Sequence, residues 1–139
     1  MKKKIIAALL VMVMLFSFTA CGPVSSAELK DMSMLYLTAL SEGDSNAVNL
    51  LSHQSHLTSS EHMQLYLQKL SEDGIVLEAP FELKSYSMSS AAYNSNYGGS
   101  YTETSYTLTS GENKYDLTVT YLKNKLGEGI VQFRIGKEK

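Results

Sequence analysis

The chain predicts an α+β domain in which two or three N-terminal helices pack on one face of a curved antiparallel sheet of about four to five strands. Three observations lead there. Apolar residues recur with a period near 3.6 from Glu28 to Leu70, the period drops to 2 after Gly74, and Ser110-Gly111-Glu112-Asn113 separates two Thr- and Tyr-rich runs as a hairpin turn. Helices that precede hairpin-linked strands, instead of alternating with them, give segregated layers.

The domain is preceded by a segment of another kind. Lys2, Lys3 and Lys4 stand before an unbroken apolar run from Ile5 to Phe16, the charged-then-apolar order of an export signal. A permanent membrane-spanning helix needs about 20 apolar residues, so a run of this length is expected to be cut off. Residues 22–27 (GPVSSA) are small, carry one Pro and show no periodicity, so they read as a linker before a single domain over 28–139.

Within that domain, Leu29, Met32, Leu35, Tyr36, Ala39 and Leu40 fall on one stripe, predicting a helix over 28–41. Gly43 supplies a stop and Asp44 an N-cap for a second short helix carrying Ala47, Val48 and Leu51. Thr58-Ser59-Ser60-Glu61 has capping-box spacing and opens a third helix with Met63, Tyr66, Leu67 and Leu70, ending near Asp73-Gly74. Residues 75–88 then hold one or two strands broken around Pro80. Strands follow at 101–109, 114–123 and 129–136. In the run 114–123 Tyr115, Leu117, Val119 and Tyr121 share a face. In the last, Val131, Phe133 and Ile135 oppose Ile130, Gln132 and Arg134, after a turn made by Gly127 and Gly129.

Composition narrows the functional classes. Without Lys2–Lys4 the remaining chain has 9 basic against 14 acidic residues, an acidic balance that argues against nucleic acid as a partner and against general attraction to anionic lipid. Cys21 is the only cysteine, so stability must come from packing; a disulfide, a Cys-ligated zinc or an iron–sulfur cluster is excluded.

Phe18-Thr19-Ala20-Cys21 resembles the lipobox of bacterial lipoproteins, with Phe18 in place of the usual Leu. The resemblance implies that residues 1–20 are a signal peptide removed before Cys21, and that the Cys21 thiol receives a diacylglycerol holding the protein on the extracytoplasmic face of the membrane. The other reading is an ordinary signal peptide with an incidental Cys. The run Leu35-Tyr36-Leu37-Thr38-Ala39-Leu40-Ser41-Glu42-Gly43-Asp44, followed by Ala47-Val48 and Leu50-Leu51, resembles the opening of nuclear transport factor two-like (cystatin-like) domains found in small lipoproteins of Gram-positive bacteria.

Three constellations bear on chemistry. His53, His56 and His62, with Glu61, lie within ten residues, and neutral His is a frequent zinc ligand; a polar connection between two helices does not make ligands converge, so solvent-exposed loop histidines and no metal are the expectation. Glu82, Glu103 and Asp116 sit on strands, where general-base work would need an apolar pocket; their alternation with the apolar residues points them outward. Tyr86, Tyr93, Tyr97, Tyr101, Tyr106, Tyr115 and Tyr121 enrich the sheet half. Residues 89–100 (SSAAYNSNYGGS) read either as an adaptable binding loop or as a mobile hairpin tip. No phosphate loop, zincin helix or nucleophile elbow occurs, and no cofactor or catalytic residue is assigned. The function expected is a membrane-anchored, non-enzymatic module binding a small ligand or protein on the concave side of its sheet. The alternatives are a small pocket enzyme of isomerase, dehydratase or hydrolase type, or an immunity-like or adhesion lipoprotein.

Overall fold

A computed structural model describes residues 23–96 and 98–138. Three helices, α1 (Ser26–Ser41), α2 (Ser45–Leu51) and α3 (Ser60–Glu72), with a 3-10 turn at Gln54–His56, precede four strands, β1 (Phe81–Asn94), β2 (Gly99–Ser110), β3 (Asn113–Asn124) and β4 (Gly127–Lys137). The strands form one antiparallel sheet in sequential order, and the helices pack on one of its faces. The predicted α+β class therefore holds, with four strands. Residues 1–20 and Cys21, the signal and lipidation site read from the sequence, lie outside the described residues.

Local chemistry sets each boundary. The Ser25 hydroxyl accepts from the Glu28 amide at 3.2 Å, so α1 starts at Ser26 and two residues read as linker belong to its first turn. Its buried side is Leu29, Met32, Ser33, Leu37, Ala39 and Leu40, while Leu35 and Tyr36, expected on the stripe, are only half-buried. Ser33 is tolerated inside because its hydroxyl donates to the Leu29 carbonyl at 2.7 Å. Gly43 takes φ 68°, a conformation with little cost only for glycine, and the Asp44 carboxylate accepts from the Ala47 amide at 3.1 Å to start α2. The cap of α3 is Ser59, which accepts from the His62 amide at 3.1 Å; Thr58, placed there by the capping-box spacing, instead bonds through its backbone to the Asn49 side chain.

The β2–β3 hairpin closes as expected, with Ser110 opposite Asn113 and Thr104 opposite Val119. Two strands depart from the reading. The segment 89–100, read as a loop, is mostly ladder: Ser89 pairs with Glu103 and Ala91 with Tyr101, so β1 runs on to Asn94. Its Ser and Ala residues carry no loop signal stronger than the cross-strand bonds available to them. In β4, Thr120 opposes Gln132 but Tyr121 opposes Ile130, which leaves Val131 as a bulge. The bulge shifts the alternation by one residue, so Ile130, expected on the outer face, is buried in the core.

The core joins Leu29, Leu37 and Leu40 of α1 and Val48 and Leu51 of α2 to Leu83, Leu108, Leu117, Val119 and Ile135 of the sheet. Burying each such side chain contributes about 1.5–3 kcal/mol, enough in sum to hold a domain of this size without crosslinks. At the far end of β2, Ser110 is fully buried and binds the chain leading into β1: its hydroxyl donates to the Val76 carbonyl and accepts from the Glu78 amide, both at 2.7 Å.

One joint fixes how the helices sit on the sheet. Ser52 forms a parallel bridge with Ile130, and the His53 amide donates to the Ile130 carbonyl at 2.9 Å. A Cβ at Gly129 would run into the backbone of Ser52 and His53. Gly129→Ala is therefore expected to destabilise by about 3 kcal/mol, the upper part of the overpacking range, because backbone and not a flexible side chain must yield. Urea unfolding should show a lower midpoint at unchanged slope.

Candidate functional site

The histidines separate. His53, expected in solvent, is fully buried, because the bridge to β4 draws it under the β3–β4 hairpin. Its Nδ1 accepts from the Ser55 amide at 3.1 Å and meets the Ser55 hydroxyl at 2.7 Å, and its Nε2 lies 2.9 Å from Asn124 Oδ1. An amide N–H can only donate, so the proton of the ring belongs on Nε2, which donates to Asn124. Asn124 Oδ1 also accepts from the Leu126 amide at 3.0 Å, so one buried imidazole organises both the 3-10 turn and the hairpin tip. His56 is exposed and shares the Ser55 hydroxyl, and His62 is exposed on α3 beside Glu61. Among the described residues no group of three or more His, Cys, Asp or Glu is placed to hold a metal ion.

The carboxylates point outward. Glu82 is exposed, and Glu103 and Asp116 are half-buried on the outer sheet face. Glu103 Oε2 accepts from the Thr120 hydroxyl at 3.3 Å, while Gln132 lies 3.1 Å from the same hydroxyl. A hydroxyl has one proton, so the row is satisfied when the Gln132 amide is turned to donate to Thr120. Nearby, Tyr86, Asp116, Thr118, Arg134 and Lys137 line an open polar groove of about 450 Å³.

The tyrosines divide by position. Tyr106, Tyr115 and Tyr121 are core residues, Tyr101 is half-buried, Tyr86 and Tyr93 are exposed, and Tyr97 lies outside the described residues. The two that build a cleft, Tyr36 and Tyr66, lie on helices and were not singled out by the sequence; the signal available was an aromatic on each helical stripe, which reads equally as plain core. Tyr36 stacks on Phe133 of β4 with centroids 4.1 Å apart and planes inclined by 24°. The Tyr66 hydroxyl donates to the Phe133 carbonyl at 3.2 Å. With Leu40, Val48, Thr58 and Met63 these three aromatics line a cleft of about 230 Å³ between the helices and β4.

Burial pushes the Tyr36 phenol up to about 12, with the Ser52 hydroxyl bond opposing and Tyr66 adding to the rise. Burial likewise raises Tyr66 and Tyr106. It raises Tyr121 most of all, helped by the Glu128 carboxylate, to which the Tyr121 hydroxyl donates at 2.9 Å. The cleft is thus an apolar slot with two un-ionised hydroxyls whose protons are held by Phe133 and Ser52, suited to receiving a flat apolar group and accepting a hydrogen bond from it at a phenol oxygen. Among the described residues no helix is long and apolar enough to cross a membrane.

Two outcomes follow. His53→Ala removes the donor to Asn124 and the acceptor for Ser55, which is expected to cost about 1–3 kcal/mol through unsatisfied buried partners. A double-mutant cycle with Asn124→Ala should return a coupling of about 0.5 kcal/mol or more. Phenols raised in the folded state stabilise it fully below the unfolded value of 10.0 and lose that contribution as pH climbs toward about 12 for Tyr36. Alkaline titration should therefore show a late step in tyrosinate absorbance, above the ordinary range, that coincides with loss of the far-ultraviolet dichroism signal.

No protein-family model, curated protein or solved structure matches the chain, so its functional reading rests on this geometry.

Proposed function

We propose that the protein is a lipid-anchored, extracytoplasmic binding module that takes a small apolar or aromatic group into the cleft under Tyr36, Tyr66 and Phe133. The anchor half of the reading is supported by the basic start, the apolar run and the Phe18–Cys21 pattern. The binding half is carried by one observation, an open apolar slot whose walls are stiff aromatics and whose polar tips are tyrosine hydroxyls. Aromatic walls lose little freedom when a ligand seats, and a volume of this size suits a group somewhat larger than benzene, which fills a cavity of about 150 Å³. A domain of the nuclear transport factor two-like kind is the architecture this reading favours.

Indole is a suitable probe. Titrated into the isotope-labelled, membrane-extracted chain, it should shift the resonances of Tyr36, Tyr66, Met63 and Phe133 together and saturably, while Thr58→Phe, which puts a bulky ring on the wall of the slot, should abolish the response. Shifts scattered over the surface, or undiminished in Thr58→Phe, would remove the cleft as the site. For the anchor, intact mass should equal residues 21–139 plus acyl chains in wild type and lack the acyl mass in Cys21→Ser.

A further inference from the structure

The sheet has two unlike ends. Asn94, Gly99, Asn124 and Gly127 lie in one row across the four strands, which puts the β1–β2 and β3–β4 turns side by side at one end. That end exposes Leu126 at 59% and Tyr93 at 69%, with Lys125 exposed in the same turn as Leu126. The opposite end holds the Gly111-Glu112 turn with Glu78 packed beside it and the exposed Lys114 next in the strand. The start of α1 lies toward the first end: its last residue, Ser41, lines a cleft with Val76 and Leu77, in the chain that Ser110 holds at the opposite end, and the 16-residue helix runs about 24 Å away from there. In keeping with this, Glu28 in its first turn adds its charge to the surroundings of Tyr121, whose hydroxyl binds Glu128 at 2.9 Å. Tyr121 is three residues from the tip, about 10 Å along a strand.

Cys21 is four residue steps from the α1 cap Ser25, a chain that spans at most about 14 Å fully extended. A lipid on Cys21 therefore holds the Leu126 end of the domain within one short tether of the bilayer. We infer that this end is a membrane-docking surface, with Leu126 and Tyr93 entering the headgroup region and Lys125 meeting anionic lipid, so that the domain stands upright on the membrane with its Gly111-Glu112 end outward. This rests on the lipoprotein reading above and goes beyond it by fixing an orientation. Three features agree. An exposed Leu at a turn tip gains by burial, a Tyr suits the interface, and a Lys beside them is drawn to anionic headgroups at about 1 kcal/mol each. The same orientation stands the strands upright and leaves the outer sheet face, with its polar groove, reachable from the side.

The test uses the full chain, made in a bacterium that processes lipoproteins and reconstituted into vesicles of phosphatidylethanolamine and phosphatidylglycerol. Leu126→Cys, Tyr93→Cys and, as the far-end control, Glu112→Cys are each labelled with a solvent-sensitive fluorophore; lipidation of Cys21 leaves the introduced thiol as the reactive one. Phospholipid carrying a nitroxide near its headgroup should quench the label at positions 126 and 93, with emission shifted to shorter wavelength, and leave position 112 unaffected. Acylated protein that sediments with the vesicles but shows no quenching at 126 and 93 overturns the docking surface while the anchor stands. Equal quenching at all three positions overturns the upright orientation. A wavelength shift at 126 without quenching assigns the tip to protein contact and likewise overturns it. Protein without acyl mass that fails to sediment overturns the anchor and the docking surface together.

Discussion

The approach of the Ser52–His53 backbone to Gly129 and Ile130 is the constraint on which the rest of this structure depends. Helices laid on a sheet are free to slide until something sets their register, and apolar packing is too undirected to do so alone. Here a parallel bridge, an amide bond of 2.9 Å and a buried imidazole set it, and only glycine at 129 lets the two backbones come so close. The joint also covers part of the β4 edge, whose unpaired groups would otherwise face solvent. It places Ser52 beside the Tyr36 hydroxyl, and α2 and α3 on either side of Phe133. The cleft is thus a product of the same contact that orients the layers. Loss of the joint would open the slot before it unfolded the sheet, since β2 and β3 are held by twelve paired positions of their own.

The other edge is managed differently. β1 is paired only on the β2 side, and its outer half from Ser85 to Asn94 carries no charge. Its defence is irregularity: register shifts at Tyr86 and between Ala91 and Asn94 interrupt the straight row of donors and acceptors that another strand would need. Tyr86 is thereby turned toward the outer face, where it helps form the polar groove with Asp116 and Arg134.

How much of this was legible in the sequence depends on whether the deciding interaction was local. The helices, their Gly43 and Gly74 stops, the Asp44 cap and the β2–β3 hairpin follow from neighbours in the chain, and each was read correctly in kind. The Ser59 cap was displaced by one residue because Asn49, nine residues away, claims Thr58. The failures share a cause. His53 was placed in solvent because its partners Asn124 and Ile130 are more than seventy residues distant, and Ile130 was placed outside because a bulge at Val131 leaves no mark on a period-2 pattern. Ser89 to Asn94 became strand because β2 offers partners to Ser89, Ser90, Ala91 and Asn94, which outweighs a weak local preference. The cleft was missed for the same reason. Tyr36, Tyr66 and Phe133 lie on three elements, and nothing along the chain links the first two to the third.

Tyrosine resolves a difficulty common to all of these regions. The chain has no tryptophan and only four phenylalanines, so large aromatic volume in the core comes mostly with a hydroxyl attached. A buried hydroxyl without a partner costs free energy, and the fold answers by placing several of these rings where the tip reaches a boundary. Tyr115 fills the core and accepts from the Val76 amide, satisfying a backbone donor in the irregular chain before β1. Tyr66 reaches the Phe133 carbonyl on β4, and Tyr121 reaches Glu128 beyond the bulge. The first two of these bonds, long in sequence, tie a helix and a connection to the sheet, and the third closes the β3–β4 hairpin within it. A phenylalanine in their place would pack as well and tie nothing. Part of the tyrosine enrichment that looks in sequence like a binding surface is thus how this disulfide-free domain joins its elements, and where two such rings meet Phe133 the same chemistry leaves a space for a ligand.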